Sequence, residues 1–141
     1  MKCVQITSSV APKEWVTTVK ARANGKAITK ECVAVLDTGA NNTIITRDLF
    51  ETLKADETGQ VMNCTPTGEE KTITSNIDIN FYDDCVLKNV QVLISEHNMG
   101  CDILIGMNVI TKGDFHSFRD SDGLYTCTFR VYDTLVNTFK K

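Results

Sequence analysis

The sequence predicts an all-β fold, on three observations. Thr, Val and Ile supply 42 of the 141 residues, and β-branched side chains lose little χ1 freedom on a pleated surface. Apolar residues gather in short runs separated by turn chemistry, which leaves room for only one or two short helices. Two of those runs, Cys32-Val33-Ala34-Val35-Leu36 and Cys101-Asp102-Ile103-Leu104-Ile105, are of the buried-strand type. The length suits one domain over 1–141, with a core at about 15–115 and a C-terminal hairpin at about 114–132. A hydrophobic share of 42% with only 2 Pro and 8 Gly excludes disordered and collagen-like classes.

In chain order, Trp15 to Ala21 alternates as a strand, and Asn24-Gly25 offers the positive-φ pair of a two-residue hairpin turn. A second strand runs from Lys26 through Leu36 and breaks at Asp37-Thr38-Gly39. Apolar character resumes at Asn41 to Thr46, and Thr46 caps a short helix over Arg47 to Ala55 with Leu49, Phe50 and Leu53 on one face. Gln60 to Phe81 reads as a long hairpin whose polar turn is Thr65-Pro66-Thr67-Gly68-Glu69-Glu70. Val86 to Ile94 reads as a strand pair turning at Lys88-Asn89. The run ending at Ile105 stops at Gly106, and a helical turn follows over Met107 to Thr111. Asp114 to Arg119 and Leu124 to Tyr132 then bracket the hairpin turn Asp120-Ser121-Asp122-Gly123.

Charge narrows the partners. With 15 Lys and Arg against 18 Asp and Glu there is no basic block, so nucleic acid and anionic membranes are not expected partners. No apolar run reaches the roughly 20 residues of a membrane span, and Met1 to Lys13 lacks the apolar core of a signal peptide, so a cytoplasmic location is expected. The six cysteines are scattered without paired spacing and read as reduced thiols, mostly small core residues. His97 and His116 lie 19 positions apart without metal-ligand spacing, so no metal site is expected. Acyl-transfer and nucleotide-binding motifs are also missing from the sequence.

The chemistry lies at Asp37-Thr38-Gly39-Ala40. A carboxylate directly after an apolar strand sits where the chain leaves the core, in partly desolvated surroundings that tune its ionisation. Thr38 brings a hydroxyl able to hold neighbouring backbone, and Gly39 removes a side chain where substrate or partner backbone must come close. Taken alone, the same three residues make an ordinary turn.

The order of this motif, a hairpin, and the late Ile103-Leu104-Ile105-Gly106 followed by a short helix resembles the retropepsin-like aspartic proteases. The resemblance spans about Trp15 to Phe115, and the tail beyond looks like bacterial or phage-type single-domain members. It implies a retropepsin-like β-barrel with a flap hairpin, active as a C2 homodimer that cleaves a peptide or protein substrate without metal or cofactor. Asp37 matches the catalytic aspartate, Thr38 the threonine that links the two active-site loops, Gly39 the glycine whose carbonyl meets substrate, and Ala40 the small fourth position. Asn41, Asn42, Ile105 and Gly106, with Thr65, Pro66, Thr67 and Gly68 at the flap tip, are the implied substrate contacts. The chain carries one such motif, since Asp133-Thr134-Leu135 lacks the glycine, so two chains are needed for a pair of carboxylates.

Two departures from the retroviral pattern stand out. The flap tip has one glycine, one proline and two acids instead of many glycines, which implies a stiffer flap that disfavours acidic substrates. Asn41 and Asn42 stand where retroviral enzymes have aspartates, and Met107 where they carry the pairing arginine. Losing one partner alone would leave an uncompensated charge costing about 3–5 kcal/mol, so the joint replacement is coherent. These departures keep open a second reading, a catalytically silent dimeric β-barrel that binds peptides or serves assembly. The segments before Trp15 and from Val131 to Lys141 are expected either to build the dimer interface or to cover an edge strand.

Overall fold

The computed structural model describes residues 2–8, 12–82 and 85–131. Tyr132, Asp133-Thr134-Leu135 and the rest of the expected C-terminal interface segment lie outside these. The elements run β1 (Lys2–Ser8), β2 (Trp15–Ala23), β3 (Thr29–Leu36), β4 (Thr43–Thr46), α1 (Arg47–Thr52), β5 (Gly59–Thr65), β6 (Gly68–Tyr82), β7 (Cys85–Ser95), β8 (Ile103–Ile105), α2 (Met107–Ile110), β9 (Gly113–Arg119) and β10 (Tyr125–Val131). One sheet has the order β2-β3-β8-β4-β7-β6-β5, and β2 also pairs with β6, which closes it into a barrel. The second sheet, β1-β10-β9, holds the two ends of the described chain side by side.

Alternation decides which face goes in. In β2, Val19, Ala21 and Ala23 are buried while the residues between them are exposed. The barrel interior is filled by these together with Ile45, Ile77, Ile79, Ile103 and Ile105, all of them buried. The tight turn after β2 forms at Asn24-Gly25, with Gly25 at φ 76° and the Lys26 N–H donating to the Ala23 carbonyl at 3.0 Å. The Asp120 carboxylate ties the last hairpin by accepting from the Asp122 and Leu124 N–H groups, each at 2.9 Å. Cys32, Cys85 and Cys127 are buried as small core residues, and no disulfide joins the cysteines among the described residues. No described helix is long and apolar enough to cross a membrane.

Lys2–Ser8 forms a strand that pairs along the whole of β10, so this part of the N-terminal segment takes the second of its two expected places, over an edge. Three expectations are corrected. Helix α1 is shorter than expected, because Leu53 caps it and Lys54 follows at φ 53°. The hairpin turn is only Pro66-Thr67, since Glu69 and Glu70 pair with Cys64 and Asn63 inside the ladder. Lys88-Asn89 does not reverse the chain: β7 is one strand with a register shift opposite Ile77/Ile79. There Asn89 takes φ 59° and its N–H donates to Asp78 Oδ1 at 3.0 Å, so its tolerance of left-handed backbone makes a bulge. Arg22 pairs with the other oxygen of that buried carboxylate at 2.9 Å.

Candidate active site

Parallel pairing of β3 with β8 sets Leu36 beside Ile105 and brings the ends of both strands to one place. Asp37 follows directly, its N–H donating to the Ile105 carbonyl at 2.9 Å. Its Oδ1 accepts the Gly39 N–H at 2.8 Å, and its own carbonyl accepts from Ala40 at 3.3 Å, which folds residues 37–40 into a tight loop. The next stretch is clamped by the β8–α2 junction: the Met107 N–H donates to the Ala40 carbonyl at 2.7 Å and the Asn108 N–H to that of Asn41 at 3.2 Å. Buried Thr43 completes the clamp, accepting the Gly106 N–H at 3.2 Å and donating to Asn108 Oδ1 at 2.7 Å. Asn108 Nδ2 in turn reaches the Gln91 carbonyl at 3.1 Å.

Residues 37–42, 105 and 106 are therefore one unit, although about 65 positions separate its halves. Asp37 is half-buried, and Thr38, Gly39, Asn41 and Asn42 are exposed. Among the described residues the Thr38 hydroxyl has no hydrogen-bond partner, so its bonding capacity faces outward. Met107, where the retroviral pattern has an arginine, packs half-buried against the core. The Ile105 side chain is wholly buried, and its carbonyl is the acceptor of the Asp37 N–H.

Asp37 and Thr38 open into a cavity of about 430 Å³ lined also by Trp15, Val35, Leu104, Phe115 and Ser117. A second groove of about 310 Å³ runs under the β5–β6 hairpin, where Pro66 of the tip, Asn63, Glu70 and Thr72 face Leu93, Ile94, His97 and Leu104. Of the other tip residues, Thr67 and Gly68 are exposed and Thr65 ends β5. Sequence reasoning passed over Leu104, which lines both spaces. The signal was there in its place between Ile103 and Ile105, since strand alternation turns it to the opposite face. No cysteine is among the described residues that line the Asp37 cavity. Burial, with Glu14 and Asp102 adding, pushes the Cys101 thiol up, and burial followed by Asp102 takes Cys32 to about 12.

A half-buried aspartate at the end of a barrel strand, clamped by a second strand–helix junction, is the retropepsin-like arrangement, and comparison with known proteins agrees. The chain belongs to the aspartyl protease family, whose family model, described as aspartyl protease, matches residues 19–109. Two solved structures share its fold at low sequence identity. A retropepsin-like aspartic protease from Rickettsia conorii is 16% identical over 93% of this chain and 95% of its own, with a TM-score of 0.55. The EIAV protease complexed with the inhibitor HBY-793 is 16% identical over 70% of this chain and 86% of its own, with a TM-score of 0.53. No curated protein matches the chain in sequence.

Proposed function

We propose that the chain is an aspartic endopeptidase that acts as a homodimer, with Asp37 of each copy forming the catalytic pair. The observation that carries this reading is the single Asp37 carboxylate, fixed through its own backbone and through Gly39 at the mouth of an open cavity. One carboxylate cannot serve as base and acid at once. A second copy brought up by a twofold axis supplies the other, and exposed Thr38 beside it is free to bond across the axis. Two carboxylates in contact cannot both ionise cheaply, so the pair holds one proton.

Chemistry follows from that proton. The ionised carboxylate takes a proton from water as the water oxygen bonds to the peptide carbonyl carbon, and the protonated one gives its proton to the carbonyl oxygen. The resulting diol collapses as one carboxylate withdraws a hydroxyl proton and the other protonates the departing nitrogen, which breaks the C–N bond. Gly39, Ala40, Asn41 and Asn42 form the floor against substrate backbone, and the Asn side chains give it neutral amides. The β5–β6 hairpin acts as a flap, with Thr65 to Gly68 as its tip, excluding bulk water from the pair. The sequence of proton transfers calls for no cofactor.

The test is mass-spectrometric cleavage of a mixed peptide library between about pH 4 and 7, wild type beside Asp37→Asn, over a protein-concentration series that brackets dimerisation. Cleavage that vanishes in Asp37→Asn and rises faster than linearly with protein is the expected result. Silence from a demonstrated dimer would transfer the assignment to a peptide-binding module.

A further inference from the structure

The groove under the β5–β6 hairpin adjoins the Asp37 cavity, with Leu104 forming the wall between them. A side chain seated in the groove thus lies across Leu104 from the cavity that holds Asp37. The groove is largely apolar, through Leu104 and Met99 among others, yet its charge is one-sided. Among the described lining residues Glu70 is the one carboxylate and there is no Lys or Arg, while His97 stands at the rim with Nε2 at 3.7 Å from Glu70 Oε2.

Thr72 adds an independent observation. It lies two residues along β6 from Glu70, on the same strand face, and is only 6% exposed. Its hydroxyl has no hydrogen-bond partner among the described residues. The next residue on that face, Thr74, is bonded: its Oγ1 lies 3.0 Å from Thr58 Oγ1. Buried polar atoms are nearly always satisfied, so an orphan hydroxyl lining a groove marks the place where a bound group completes it.

We infer that this groove selects a basic side chain, Lys or Arg, beside the bond cleaved. The inference rests on the peptidase reading of the Asp37 site and adds the substrate class. The aliphatic stem lies along Leu104 and Met99, and the cation donates to the Glu70 carboxylate and to Thr72 Oγ1, taking the place of His97 at that carboxylate. An acidic guest meets Glu70 with like charge. An apolar one leaves Thr72 unbonded, and a neutral amide bonds Thr72 without the charge gain. The expected order is basic, then amide, then apolar, then acidic.

The experiment uses peptide libraries with Lys, norleucine or Glu fixed at each central position in turn, and two readouts. Cleavage by the full-length wild type is followed by mass spectrometry, and binding to full-length Asp37→Asn by fluorescence polarisation. Each is repeated with Glu70→Gln and with Thr72→Val, whose folding is checked by thermal melting. At one position Lys should exceed norleucine about tenfold, Glu70→Gln should erase that ratio, and Thr72→Val should cut it several-fold. Cleavage with no preference for Lys, or a preference that survives Glu70→Gln, overturns the groove assignment and leaves the peptidase reading standing. Lys-selective binding that depends on Glu70 without any cleavage overturns the peptidase reading and keeps the groove. Neither binding nor cleavage overturns both.

Discussion

A Cβ added at Gly106 would stand 2.3 Å from the Asn42 carbonyl oxygen, 2.6 Å from its carbon and 2.9 Å from the Ala40 oxygen. All three are backbone atoms, so a side chain here must move the loop that follows Asp37. Gly106 has φ −99°, open to any residue, which makes space rather than backbone freedom the reason for glycine. Gly106→Ala should cost about 1–3 kcal/mol or more in urea unfolding. It should also abolish peptide cleavage, because the Asn42 backbone is pushed aside together with the Ala40 carbonyl, which accepts from the Met107 N–H. Full stability with full activity would show that the crossing is looser than its contacts imply. Gly39 differs: a Cβ there meets only Asp37 Oδ1, at 3.2 Å, so alanine would press on the carboxylate itself.

Helix α1 shows how one short element is fixed by its ends. Thr46 Oγ1 accepts the Leu49 N–H at 3.1 Å as the N-cap, and Leu49 and Leu53 bury its inner face. Arg47 in its first turn lies 5.3 Å over the Phe50 ring and donates through both Nε and Nη2 to Glu96 in the β7–β8 connection. Those hydrogen bonds hold the Glu96 carboxyl below its ordinary range. Because the folded-state value is depressed, the stabilisation is fully present above the value Glu has in the unfolded chain and is lost as pH falls through the folded one. The stability difference between wild type and Glu96→Gln, measured by denaturant at several pH values, should therefore be constant through neutral pH and disappear on acidification. It should be small and salt-sensitive, as the pair faces solvent. A difference that grew on acidification would reverse the assigned sign. Elements of this kind were legible in advance, for Thr46 and the Leu49/Leu53 spacing mark the helix locally, as Leu36-Asp37 marks the end of β3. Tertiary choices were not. Asn89 suits a turn as well as a bulge, and only the Asp78 carboxylate opposite decides between them. Val4 and Ile6 alternate too briefly to announce β1 without β10 alongside. Thr72 looks like any β-branched strand residue until the groove beneath the hairpin is seen.

The two sheets of the molecule meet at an aromatic pair. Phe81 of the barrel and Phe129 of the terminal sheet stand edge to face, with centroids 5.6 Å apart at 75°, and Phe129 has no exposed surface. The terminal sheet bears on the site as well, since Phe115 and Ser117 of β9 line the cavity into which Asp37 opens. Phe115 pairs directly across the ladder with Phe129, so the docking residue and the cavity wall are neighbours on adjacent strands. Phe129→Ala removes a large fully buried side chain and should cost about 3–5 kcal/mol. The loss should not be even. Amides of β9 and β10 should exchange hydrogen faster while those of β3 and β8, which hold Asp37 through the barrel, keep most of their protection. Cleavage should fall through a raised KM more than a lowered kcat, because a cavity wall is loosened and the carboxylate is not displaced. Phe129→Leu should restore most of the stability by refilling the space. Equal loss of protection in both sheets would mean that they unfold as one cooperative unit. A fall in kcat alone would mean that the terminal sheet reaches Asp37 more directly than through the cavity wall.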